Sequence, residues 1–280
     1  MSVAASAVEA HPFFLTIGSH ACFCMLWQPA HRPPGAGMLF VPPFAEEANR
    51  SRRTVALCAR ALAAKGWAVL VPDLHGCGDS SGELTDADWS SWRDDIRAAE
   101  DWLRGRCGSP PWLWGLRTGC LLLAEHVQAG SAPARVIFWQ PVLSGDAFLG
   151  QFLRLKVAAQ ALANAAEPGV RADTRALRDR LAAGETLEVA GYALTATLTD
   201  DLARARLHLD PARIERLVWL EVGRTESGLM PASRKWLEDM PAERTVAEVV
   251  EGPACWQTQE TTENHALIAA TLSHLAEAGC

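Results

Sequence analysis

The run Trp114-Gly115-Leu116-Arg117-Thr118-Gly119 places a glycine two positions either side of Arg117, between an apolar stretch and a nearly all-apolar helical segment. This is the G-x-S-x-G spacing by which a tight strand-to-helix turn lifts a nucleophile to the top of a sheet. With serine at its centre the chemistry would be acyl transfer. Arg117 holds that position, and a guanidinium offers no nucleophilic atom and stays protonated; what it offers is a planar fork for a carboxylate or phosphate. Two other groups could attack in its place. Thr118 is one residue out of register, and Cys77 lies in the glycine-rich run Asp73-Leu74-His75-Gly76-Cys77-Gly78-Asp79-Ser80; for both, inert packing is the simpler reading.

A second cluster precedes the turn. Pro42-Pro43-Phe44-Ala45-Glu46-Glu47 leads into a segment carrying Arg50, Arg52 and Arg53. Three arginines at a helix start oppose the macrodipole, which favours anions there, so compensation is expected. Either Glu46 and Glu47 pair with these arginines and fix the loop, or one of them faces a pocket next to Arg117. Arg117 itself is expected to lock against Glu226 or Glu46, or to anchor an acyl or carboxylate ligand.

The elements that must position these groups follow from hydrophobic periodicity. Residues 13–17 and 22–27 read as a β-hairpin across Gly18-Ser19, and 38–41 as a short strand. Helical and strand periods then alternate: helix 50–65, strand 67–71, a helix opened by the box Thr85-x-x-Asp88 with Trp92, Ile96, Ala99 and Leu103 on one face, strand 112–114, helix 118–127 and strand 135–140. The stretch 144–209 is Ala/Leu/Arg-rich and helical without a convincing strand. Alternation resumes with strand 217–222, helix 232–239, strand 245–250 and helix 264–276. Repeated strand-then-helix order means a parallel sheet covered on both faces.

A hairpin feeding such a series, with a late insertion, resembles the chain order of the α/β-hydrolase fold. The expectation is an α/β core, mostly parallel, from 1–143 and 210–280, interrupted by a helical cap at 144–209. The resemblance puts Arg117 at the elbow and Glu226, in Glu221-Val222-Gly223-Arg224-Thr225-Glu226, at the acid position of a triad. The histidine expected after the last strand is replaced by Ala254 or Cys255, leaving His265 at the start of the final helix as the catalytic candidate. Pro43, Phe44, Glu46 and Glu47 from the oxyanion segment, with Gln140 and Gln257, are the expected ligand-binding residues.

Composition narrows the class. At 280 residues, 49% hydrophobic and 21% charged, the chain can bury a sizeable core. A net charge of −7 lacks the basic footprint of a nucleic-acid binder. Eight cysteines include no C-x-x-C pair, and no histidines stand at ligand spacing, so neither a metal nor a cofactor is expected. No apolar run approaches a membrane span and no signal-peptide pattern opens the chain, which points to the cytoplasm. Eleven tryptophans accompany one tyrosine; core packing is the first reading of them, and the lining of a pocket by several of them is the second.

Taken together, the motifs resemble one family. The chain is similar to the exosortase A system-associated hydrolases of the second type, in the run P-P-F-A-E-E-x-N-x-S-R-R at 42–53, D-x-x-G-C-G-D-S at 73–80, W-G-L-R at 114–117, W-Q-P-V-x-S-G at 139–145, Q-F-L-R at 151–154 and W-Q-T-Q-E at 256–260. The resemblance implies an α/β-hydrolase-fold protein encoded beside exopolysaccharide genes, acting on an ester or thioester. The missing serine keeps open the alternative of a non-catalytic or accessory protein that binds an anionic acyl or sugar-related ligand, or a partner protein, in the former active-site pocket.

Overall fold

A computed structural model describes residues 7–163, 173–258, 260 and 262–277. The expected cap therefore has 164–172 outside the described residues, as is Gln259 of the C-terminal run.

The chain opens with the hairpin β1 (Val8–Ile17) and β2 (His20–Pro29), longer than periodicity predicts because its polar ends still pair across the strands. There follow β3 (Ala36–Val41), α1 (Glu46–Ala64), β4 (Trp67–Pro72), α2 (Trp89–Cys107), β5 (Trp112–Leu116), α3 (Gly119–Ala129) and β6 (Ala134–Trp139). The insertion holds α4 (Gly145–Ala163), α5 (Thr174–Ala182), a small hairpin β7 (Leu187–Val189) and β8 (Tyr192–Leu194), and α6 (Ala196–Arg204). The core resumes with β9 (Ile214–Val222), α7 (Pro231–Leu237), β10 (Thr245–Val250) and α8 (His265–Glu277).

Eight strands form one sheet in the order β1-β2-β4-β3-β5-β6-β9-β10, antiparallel at β1/β2 and β2/β4 and parallel from β4 onward. Alternate residues of one strand feed opposite cores: in β3, Leu39 and Val41 pack toward α2 and α3, whereas Met38 and Phe40 pack toward α1 and α8. The second core is rich in tryptophan, with Trp114 edge-on to Phe40 and Trp139, and Trp139 donating to Thr271 Oγ1 at 2.9 Å.

Two helix starts differ from expectation. Helix α1 begins at Glu46, four residues early, so its first turn is acidic and favoured by the dipole, and the arginines fall further along. Helix α2 is capped by Asp88, which accepts from Ser91 N at 2.7 Å; Thr85 sits in a 3₁₀ turn before it. Among its described residues the insertion also holds the small β7–β8 hairpin, which the helical expectation does not include.

Candidate functional site

The carboxyl ends of β3, β4 and β5 converge, which is where open parallel sheets place their ligands. Strand β5 ends in the turn that carries Arg117 at φ 54, a left-handed conformation costing ~1–2 kcal/mol for a residue with a Cβ. Ladder-like bonds hold the turn: Arg117 N donates to Trp139 O at 3.0 Å, and Cys120 N and Val142 N donate to Arg117 O at 3.1 and 3.3 Å. Gly119 lets α3 start against β3, since a Cβ there would lie 2.3 Å from Val41 O.

The Arg117 side chain turns toward α1. Its Nε lies 3.2 and 3.3 Å from the two Glu47 oxygens and its Nη2 3.2 Å from Oε1, with the two side chains only 13% and 16% exposed. Trp256, from the loop after β10, presents its ring 5.7 Å from the guanidinium carbon. Burial pushes the Glu47 carboxyl above the usual carboxylate range, and the charge and hydrogen bonds of Arg117 offset part of that. The counter-ion of Arg117 is thus Glu47; the expected locks against Glu226 or Glu46 are not formed. A ligand-facing fork is not formed either, because Arg117 is turned into this pair and does not line the neighbouring cavity.

That cavity, about 190 Å³, opens beside the turn. Its apolar wall is Phe44, Trp89, Trp92 and Leu122, and its polar atoms come from Thr118, Cys77, Asn49, Tyr192, Arg52 and Asp73. Thr118 Oγ1 accepts from Phe44 N at 2.7 Å, so the backbone donor beside the turn is engaged within the protein. Burial, reinforced by the Asp73 charge, pushes the Cys77 thiol up to about 12, leaving it protonated and weakly nucleophilic at neutral pH. Arg52 Nη2 reaches Asp73 Oδ1 at 2.9 Å.

A polar cluster ties the insertion to the cavity mouth. Tyr192 Oη of β8 donates to Glu46 Oε2 at 3.0 Å and accepts from Asn49 Nδ2 at 2.8 Å. Burial works against the Glu46 charge, but the bonds from Tyr192, Asn49 and Arg50 outweigh it and hold the carboxyl below its usual range. Burial and the Glu46 charge push the Tyr192 hydroxyl up to about 12.

The other expected site residues divide. Pro43 and Phe44 line the cavity, and Glu46 stands at its mouth through Tyr192. Gln140 does not: its backbone N donates to Leu220 O at 2.7 Å and its Oε1 accepts from Val222 N at 2.6 Å, stitching β6 to β9. Gln257 is exposed and contributes its carbonyl to Arg50 Nη1 at 2.7 Å. Glu226 is exposed in a 3₁₀ turn beyond β9, in a separate shallow depression with Glu251. His265 pairs with Glu263 at 2.9 Å and is 76% exposed. Arg117, Glu226 and His265 are therefore not brought together. The physical reason is that Glu226 lies in an exposed turn after β9 and His265 at the exposed start of α8, while the buried ring of Trp256, from the loop after β10, takes the space over Arg117. Sequence reasoning missed Asn49, Trp89, Trp92 and Tyr192 as parts of the site; the chain's single tyrosine was the available signal.

Among the described residues no group of three metal-ligating side chains assembles, and no helix is long and apolar enough to cross a membrane. No protein-family model matches the chain, and no curated protein matches it. Solved structures do. The chain is similar to Est1E from Butyrivibrio proteoclasticus with ferulic acid bound, at TM-score 0.65 and 15% identity over 95% of this chain and 98% of that one. It is similar to a soluble variant of monoglyceride lipase from Saccharomyces cerevisiae in complex with a substrate analogue, at TM-score 0.62 and 13% identity over 99% and 96%. A thioesterase domain from the curacin biosynthetic pathway aligns at TM-score 0.53 and 17% identity over 95% and 99%.

Proposed function

The chain has the α/β-hydrolase fold, and from that premise we propose that it is a ligand-binding protein that holds a neutral acyl compound beside the elbow without covalent ester chemistry. The observation that carries this reading is the closed pair Arg117–Glu47 at the tip of the turn, where the spacing calls for a nucleophile. Acyl transfer needs an attacking atom, a base within hydrogen-bond reach and free donors for the developing oxyanion. Arg117 cannot attack, Thr118 Oγ1 is engaged with Phe44 N, and the Cys77 thiol is held protonated. Among the described residues no histidine lines the cavity.

The apolar wall suits an acyl or aromatic body. Among the described residues the cation lining the cavity is Arg52, and it faces Asp73, which favours a neutral polar group over a carboxylate. The motif runs at 42–53, 73–80 and 114–117 support placing the protein with the exosortase A system-associated hydrolases, in the cytoplasm, as an accessory rather than a turnover enzyme. A hydrolase of esters or thioesters through an unorthodox site is the reading this one displaces.

The test is a panel of p-nitrophenyl esters and acyl thioesters of graded chain length, followed for turnover and for quenching of tryptophan fluorescence, because Trp89 and Trp92 line the cavity. Quenching without turnover is expected, and Arg117→Ser is expected to gain no esterase activity. Turnover that Cys77→Ala or Thr118→Val abolishes would overturn the reading.

A further inference from the structure

A second cavity, of about 180 Å³, lies between α1 and the face of the sheet formed by β2, β3 and β4. Phe23, Met25 and Trp27 form one of its walls. They alternate along β2 and are only half-buried, on a strand face where polar residues would be ordinary. Val55 and Ala56 of α1 face them. Among the described residues this cavity and the one beside the elbow share four that line both, Pro42, Ala48, Arg52 and Asp73, and of these Arg52 and Asp73 are the charged side chains lining either.

The two halves of that charged pair are held differently. Asp73 is 8% exposed and also accepts from Asp79 N at 3.0 Å. Gly78 packs its backbone against it, since a Cβ there would lie 2.0 Å from Asp73 Oδ2. Arg52 is 48% exposed and reaches Asp73 through one hydrogen bond of 2.9 Å. Asp73 is the fixed partner and Arg52 the one with room to swing. A guanidinium carries five N–H donors, so a carbonyl oxygen can share Arg52 with Asp73, whereas a carboxylate would bring a second anion against a buried one.

Resting on the acyl-binding reading above, we propose that the two cavities form one site for a neutral ester with two apolar arms, one arm in each cavity and the carbonyl at Arg52. The second arm enters as Arg52 shifts off the line between the cavities while Asp73 stays in place. The site would then select by the length of both arms, and short esters would fill only half of it.

The experiment is displacement of Nile red from the full chain by alkyl octanoates whose alcohol arm grows from methyl to decyl. Affinity is expected to rise about threefold to fourfold per methylene over the first several, the usual gain for an apolar group leaving water. Ala56→Trp fills the second cavity and should flatten that rise; Met25→Trp, on the opposite wall, gives the same readout should the helix substitution disturb folding. A rise that is the same in the wild type and both variants would overturn the joined site and leave the first cavity's binding intact. Failure of every ester to displace the dye from the wild type would overturn both readings.

Discussion

Thr118 and Phe44, seventy-four residues apart, are joined by a 2.7 Å hydrogen bond in which the threonine hydroxyl oxygen accepts from the phenylalanine backbone N–H. The bond closes the loop after β3 onto the start of α3, and both residues are buried. Thr118→Val would leave the Phe44 N–H without an acceptor, at an expected cost of about 1–3 kcal/mol, while Thr118→Ser should keep most of it. Urea unfolding of the two variants beside the wild type measures the difference, and equal midpoints for Val and Ser would refute the role.

The Arg117–Glu47 pair makes a sharper prediction. Breaking a buried pair from one side strands the other charge, so Arg117→Met or Glu47→Gln alone should cost about 3 kcal/mol. Replacing both with Met and Leu should recover most of that loss, because the desolvation cost of both ions disappears with them. The comparison is a double-mutant cycle by chemical denaturation; additive losses would mean that the two groups do not depend on each other.

Tyr192 ties the insertion to α1 through Glu46, and that tie depends on pH. The Glu46 carboxyl is held below its usual range, so its contribution is present above the unfolded value and is lost as pH falls through the folded one. Tyr192→Phe removes one donor to the carboxylate and should cost about 1 kcal/mol at pH 7. The gap in melting temperature between wild type and variant should close when the melts are repeated near pH 3. A gap that persists unchanged would show that the hydroxyl acts through Asn49 rather than Glu46.

Much of the scaffold was readable from periodicity, because each core strand is an apolar run set off by turn residues and each helix repeats its apolar face. The turn at Arg117 was readable for the same reason: Gly115 and Gly119 are needed wherever a strand must bend straight into a helix against a neighbour. The β7–β8 hairpin escaped because its strands are three residues long and its turn is Ala190-Gly191 at φ 52 and 86, without the Asn-Gly or Asp-Gly pair that marks such turns. Pairing was the least readable layer. Glu46, Glu47, Arg52 and Arg117 were identifiable as charged groups near one another, but which acid meets which base depends on where α1 starts. Once that helix begins at Glu46, Glu47 points at the turn and Arg52 at Asp73. Glu226 stands at a plausible spacing after β9, yet nothing in spacing reveals that its loop faces solvent.

Arg52, which lines the cavity, and Arg117, beside it, each face a carboxylate, and Glu46 at the mouth is matched by Arg50, so the charges around the entrance offset one another while the molecule as a whole carries −7. Nothing in such an entrance draws an anion across the surrounding field, and nothing in it gains from lowering the ionic strength. What reaches the cavity is selected by its reluctance to stay in water. Encounter would therefore track the hydrophobicity of the visitor and remain indifferent to salt.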